Sequence, residues 1–273
     1  MATAFFGYGN AVDAPGATIA YSSQLSNLPA SNVIDPDLQR VWVTANADDA
    51  WVAAVFPSAH SIRCLGLGGW LATSGATIRR RLYSDTGMST TVYDSGWVSA
   101  DVQEGYWTSV EVLGSAVANV RAARVDISDA ARATTVVNGQ FAGDHIVGRL
   151  WVSSGEQPAY NMGYPYNEEM CELTEKQRGR RSGAVSVDPG PQYRKISFGY
   201  EALTEAEGRG SFKEFLRKAG IGKQVLFVPE PGGTYQPSEA MFCKRAETSP
   251  VVYADLPMWQ NAMTLEEDPA LGS

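Results

Sequence analysis

A chain of 273 residues, 44% hydrophobic and 19% charged, holds enough apolar material for more than one core and lacks the charge excess of a disordered protein. Its formal charge of −8 at pH 7 argues against a nucleic-acid coat, because phosphate binding draws its affinity from clustered Lys and Arg. Cys64, Cys171 and Cys243 stand far apart in no paired spacing, unlike a disulfide framework or a zinc site, and are expected to be reduced thiols.

The opening residues, Met1 to Phe6, carry no basic leader, and no apolar run approaches the roughly eighteen residues of a membrane span. The expectation is a protein made in a cytoplasm, with no membrane insertion.

From Thr18 to Val152, short runs rich in Val, Ile, Thr, Tyr and Trp alternate with Gly, Ser, Asp and Asn clusters, without a helical period. Strands are expected at Trp51 to Phe56, Ile62 to Gly68, Thr77 to Tyr83, Thr91 to Val98, Trp107 to Leu113, Ala122 to Ile127 and Ile146 to Val152. Polar and apolar side chains alternate from Ala122 to Ile127, which puts Val125 and Ile127 on a buried face. Antiparallel strands at this spacing fit a two-sheet sandwich or jelly roll. The stretch Leu28 to Pro36, with two prolines and several turn formers, reads as an ordered loop at the sandwich edge.

After Trp151 the composition shifts, with Gln157, Pro158, Tyr160, Asn161, Gly163 and Pro165 interrupting regular patterns. The expected division is therefore residues 1–157 and 158–273. In the second unit a strand at Lys195 to Tyr200 precedes a helix that Ser211 and Glu214 would cap. Phe212, Phe215, Leu216 and Ala219 would form its apolar face, with Gly220 at its end. Strands follow at Gln224 to Val228, Met241 to Ala246 and Trp259 to Glu266. The fold class is mainly β: a sandwich, then a small α+β unit with one helix on an antiparallel sheet.

No constellation in the sequence carries chemistry. His60 lies in a turn and His145 beside Asp144, where adjacent strand residues face opposite ways and cannot orient each other. There is no nucleophile elbow, no HExxH and no phosphate loop, so no catalytic residue and no cofactor are expected. Gly66, Gly68 and Gly69 end a strand with no helix after it, and read as close-packing positions. Asp35 with Asp37, and Asp48 with Asp49, could ligate calcium, but the spacing matches no EF-hand and no metal is expected. The basic residues Lys176, Arg178, Arg180 and Arg181 read as a solvated loop or hairpin.

Aromatic residues serve as sugar platforms and interface anchors. Trp42, Trp51 and Trp151 fall in apolar strand segments and read as core. Trp70, Tyr106 and Trp107 fall at loop edges and are the candidate carbohydrate-binding platform.

The Pro29-Ala30-Ser31-Asn32-Val33 loop leading to Trp42, the strand Ile62 to Gly68 and the Thr77 to Asp85 segment resemble a galactose-binding-like, discoidin-type jelly roll, over roughly the first 155 residues. The joining phrase Gly148 to Val152 with Gln157, Pro158, Asn161, Met162, Gly163 and Tyr164 is similar to segments ending such domains in tail-tip and baseplate proteins of long-tailed bacteriophages. The second unit, with Arg194 to Tyr200, its short helix and Val225 to Pro229, looks like the small module that follows there. The resemblance implies a non-enzymatic virion structural protein, made in the host cytoplasm. Its partners would be other tail proteins in a homo-oligomeric ring, and its jelly roll could touch host-surface glycans. The first alternative is a stand-alone carbohydrate-binding adhesin; the second, a glycan- or ester-cleaving enzyme on a jelly-roll scaffold, would need a pair of converging acids or a nucleophile with a base.

Overall fold

The computed structural model describes residues 3–45, 49–103, 107–133, 144–178, 185–188, 190–255 and 258–269. The protein is mainly β. Two long strands, Ala50–Gly68 and Thr108–Ser128, run antiparallel along each other as the spine of the first unit. The sequence pattern breaks each of them in two because Pro57 to Ser61 and Gly114 to Asn119 interrupt the apolar rhythm. The structure carries the ladder through, with register shifts around His60 and Ile62 and mostly exposed side chains there. Bulges of this kind bend a strand rather than end it. One half of the pair is flanked by Thr18–Tyr21 and Thr77–Tyr83, while Arg149–Ser153 pairs with Ala50–Gly68 at the other. The resulting sandwich closes over Trp42, Phe56, Leu65, Trp70, Val125 and Leu150. Val125 and Ile127 face that core as their alternation requires, and the loop around Asn32 winds into a 3-10 turn spanning Ala30–Ile34.

The second sheet has the spatial order Gly155–Glu156, Phe5–Gly7, Val225–Val228, Met241–Arg245, Met258–Glu267, Gln192–Leu203 and Gly163–Glu172, with Val251–Asp255 also paired to Met258–Glu267. The helix Phe212–Ala219 lays Phe212, Phe215, Leu216 and Ala219 against the second core. Its start differs from the expected capping box. Ser211 is already helical and makes no cap bond, and its hydroxyl donates instead to Glu156 at 2.6 Å. Helical turns begin earlier, at Glu205. Glu207 accepts from the backbone N–H and hydroxyl of Thr204, both at 2.7 Å. Both Thr204-x-x-Glu207 and Ser211-x-x-Glu214 fit the capping pattern. Glu214 is occupied by Arg217 at 2.6 Å, which leaves the upstream pair to cap.

Residues 1–157, expected as one unit, contribute strands to both sheets. Phe5–Gly7 pairs with Val225–Val228 on one side and Gly155–Glu156 on the other. Strand alternation then splits two adjacent phenylalanines. Phe6 enters the second core, whereas Phe5 joins a third apolar layer containing Cys64, Trp107 and Trp151 from the sandwich and Leu226, Val228 and Phe242 from the second sheet. This layer joins the two units. Glycine is required at two positions in this layer: a Cβ on Gly68 of the sandwich would lie 2.4 Å from the Phe242 ring of the second sheet, and one on Gly155 would lie 2.1 Å from the Phe5 ring on the neighbouring strand.

Cys64 and Cys243 are fully buried, and burial pushes both thiols well above their ordinary range. Cys171, on the outermost strand Gly163–Glu172, is half-buried. A thiolate-selective reagent in mildly alkaline native buffer is expected to modify Cys171 quickly and the two buried thiols only on unfolding. Equal reaction rates at the three positions would contradict this arrangement.

Candidate functional site

The strand Thr77–Tyr83 contains three consecutive arginines, and its pleat sends them to opposite faces. Arg79 and Arg81 point outward and reach carboxylates. Arg79 bonds Asp94 through Nε at 2.9 Å, and Arg81 bonds Asp126 at 2.6 Å. Arg80 lies in the inward row between Ile78 and Leu82 and is 4% exposed. A guanidinium in that row must find acceptors, since an unpaired buried charge is costly. One terminal nitrogen donates to Ser109 Oγ at 2.7 Å, and the other lies 4.0 Å from Glu111 Oε2, too far for a hydrogen bond.

Ser109 and Glu111 stand two apart on the long strand Thr108–Ser128, so both side chains face Arg80. The Tyr93 hydroxyl donates to Glu111 Oε1, and the Ser109 hydroxyl donates to the Ala100 carbonyl. Burial pushes the Tyr93 phenol upward, with Glu111 adding to it, so this hydroxyl stays a proton donor at neutral pH. Burial also lowers the Arg80 guanidinium, against the opposing pull of Glu111. Two polar atoms on this floor, Arg80 Nε and Glu111 Oε2, have no hydrogen-bond partner.

Above the floor opens a cleft of about 530 Å³, walled by Val98 to Asp101 on one side and by Gly232, Gly233, Thr234, Gln236 and Pro237 on the other. That second wall is the loop after Val225–Val228. It is fastened to the sandwich by Gln236, which donates to the Val110 carbonyl at 2.7 Å. The volume falls in the range of small-molecule sites. A guanidinium and a carboxylate spaced too widely for each other match a ligand hydroxyl that accepts from one and donates to the other.

The residues expected as a sugar platform lie elsewhere. Trp70 is 0% exposed and Trp107 1%, so neither offers a ring face to a ligand. Gly69, at φ +62°, turns the chain inward after the ladder and delivers Trp70 to the sandwich core, while Trp107, at φ +50°, turns into the shared layer. Tyr106 lies outside the described residues, as do Asp48, Arg180 and Arg181. Trp42 and Trp151 are core residues as expected, whereas Trp51 is half-buried beneath the Arg124 guanidinium at 4.2 Å. The exposed tryptophan is Trp97, at 47%, directly before the cleft-wall residue Val98.

His145 is fully buried, and His60 packs edge-on to Phe56 at 5.1 Å. Asp35 accepts from the Asp37 N–H at 3.0 Å and from Arg40 at 3.0 Å, so its oxygens are used within its own loop. Among the described residues no three His, Cys, Asp or Glu side chains converge as metal ligands. Among the described residues, no helix is long and apolar enough to cross a membrane.

No family model matches the sequence, and no curated protein matches it. Among solved structures, the chain is similar to a family 32 carbohydrate-binding module from Clostridium perfringens in complex with galactose, at 13% identity and TM-score 0.40 over 55% of this chain and 99% of that one. It is also similar to a chitosan-binding module of a chitosanase/glucanase from Paenibacillus sp. IK-5, at 17% identity and TM-score 0.40 over 54% and 100%. A third is the lectin domain of lectinolysin complexed with Lewis b antigen, at 13% identity and TM-score 0.38 over 53% and 96%. Nothing in these matches points to a phage tail.

Proposed function

We propose that the chain is a non-catalytic carbohydrate-binding protein whose sugar site is the Arg80–Glu111 cleft. The observation that carries this reading is the Arg80 guanidinium and the Glu111 carboxylate, 4.0 Å apart and too far for a mutual hydrogen bond, in the lining of a cleft of about 530 Å³. A sugar hydroxyl is donor and acceptor at once and serves both. Trp97, next in sequence to the cleft-wall residue Val98, is exposed and available to an apolar sugar face.

The test is retention on a glycan array carrying galactose-, fucose- and glucosamine-terminated oligosaccharides. Glu111→Gln is expected to weaken retention about tenfold or more, the weight of one hydrogen bond to a charged group. Unchanged retention by a folded Glu111→Gln protein would remove this cleft as the site. Release of reducing sugar from a bound glycan would overturn the non-catalytic assignment.

A second reading, a subunit of a phage tail tip that assembles with other tail proteins or in a ring of its own copies, is favoured by a separate observation. Among the described residues, the strand Gly163–Glu172 is the last in its sheet, paired to Gln192–Leu203 on one side, with Met170 59% exposed and Leu173 just beyond it also 59% exposed. The hairpin of Glu175–Arg178 with Val185–Asp188, which includes Lys176 and Arg178, follows it in the chain. An open edge of this kind accepts a strand or hairpin from another chain. Mass spectrometry of purified virions would decide it: a fixed small-integer stoichiometry supports the tail assignment, and absence from particles removes it.

A further inference from the structure

The second unit carries a cleft of about 570 Å³ that the sugar reading leaves unused, lined by Arg209, Lys213, Arg217, Arg245, Ser249 and Trp259 among others. Four cationic side chains around one cavity stand out in a chain of net charge −8. Two are already balanced, Arg209 by Glu205 at 3.0 Å and Arg217 by Glu214 at 2.6 Å. Lys213 and Arg245 make no ion pair among the described residues.

Arg245 is the decisive one. It is 5% exposed; one terminal nitrogen donates to the Leu216 and Gly220 carbonyls at 3.0 and 3.1 Å, the other donates to Ser249 Oγ at 2.9 Å, and its Nε has no partner. Among the described residues, the other buried arginines each face a carboxylate: Arg149 with Asp13 at 2.7 Å, Arg194 with Glu267 at 2.5 Å, and Arg80 with Glu111 at 4.0 Å. Burial lowers the Arg245 guanidinium with no acid acting against it. A buried cation held by neutral acceptors alone is stabilised by an anion from outside, and a guanidinium supported by lysine suits phosphate or carboxylate. The Trp259 ring, with the Arg209 guanidinium 5.4 Å from its centroid, completes the cavity wall.

We infer that this cleft binds an oxyanion, the phosphate or carboxylate group of a small molecule or of a polymer end, with Arg245 and Lys213 as its counter-charges.

The experiment is calorimetric titration of the full chain at low ionic strength with inorganic phosphate and, separately, with glucuronate. Saturable binding of at least one is expected, and which one binds separates a phosphate-bearing source from a uronic-acid source. Lys213→Glu, an exposed substitution that spares Arg245 and the fold, is expected to weaken that binding about fivefold or more, as reversing a charge close to an anion does. Lys195→Glu, on the strand Gln192–Leu203 and paired with Glu266, serves as the control and is expected to leave it unchanged. Binding of neither anion, or equal weakening by the two substitutions, would overturn the inference. Since no residue is shared with the Arg80 cleft, failure here leaves the sugar reading intact.

Discussion

Phe6→Ala is expected to destabilise the protein by roughly 3–5 kcal/mol, the cost of deleting a large buried aromatic side chain. Phe6 is fully buried and sits among Phe198, Tyr200, Phe212, Phe215 and Phe227, with ring centroids 5.0 to 6.2 Å away. Aromatic pairs at such distances contribute beyond the area they bury. The position also holds the N-terminal strand between Val225–Val228 and Gly155–Glu156. Urea unfolding followed by far-UV circular dichroism and by tryptophan fluorescence would measure the loss. Both probes are expected to shift together, because neighbouring Phe5 belongs to the layer shared by the two units. A shift of less than about 1 kcal/mol would mean that Phe6 is not a core residue of the native fold.

Glu267→Ala is expected to cost about 3–5 kcal/mol, since breaking a buried pair strands the remaining charge. The Arg194 side chain is 1% exposed, and Glu267 takes it with both oxygens, Nε at 2.9 Å and a terminal nitrogen at 2.5 Å. Glu267 also accepts from the Arg194 backbone N–H at 3.0 Å. The remaining reach of the guanidinium goes to the carbonyls of Ser238 and Ala240. One side chain thereby ties the strand Gln192–Leu203, the end of Met258–Glu267 and the turn before Met241–Arg245. Combining Arg194→Met with Glu267→Ala is expected to recover much of the loss, because methionine fills the space without a charge to strand. A double variant as unstable as the sum of the two single ones would show that the pair acts independently, contrary to the geometry.

Some of this architecture follows from local pattern. Alternation in Thr77–Tyr83 and in Ala122 to Ile127 marks strands whose faces the structure keeps, and the apolar spacing Phe212, Phe215, Leu216, Ala219 marks the helix face that packs on the second sheet. Local patterns suffice there because one element's own period decides which side chains share a face. The same alternation puts Arg80 in the row of Ile78 and Leu82, so the charge at the floor of the cleft was legible in principle. A charged residue in an apolar row is the signal that marks such a position.

The sequence by itself determined the mainly β class, the sandwich, the helix and the burial of Trp42 and Trp151, all consequences of periodicity and apolar content. The tertiary structure decided the rest. Tryptophan is both apolar and polar-tipped, so its type does not reveal whether it ends inside, as Trp70 and Trp107 do, or outside, as Trp97 does. Phe5 and Phe6 form too short a run to name a partner strand, and which sheet they join depends on long-range packing against Val225–Val228. Both clefts have walls drawn from distant parts of the chain. Gln236 meets Val110 across 126 positions, and Arg245 meets Leu216 and Gly220 across 29 and 25. The unsatisfied donors and acceptors that give these cavities their chemistry come from side chains that have no common period. Only the folded chain brings them within reach of one ligand.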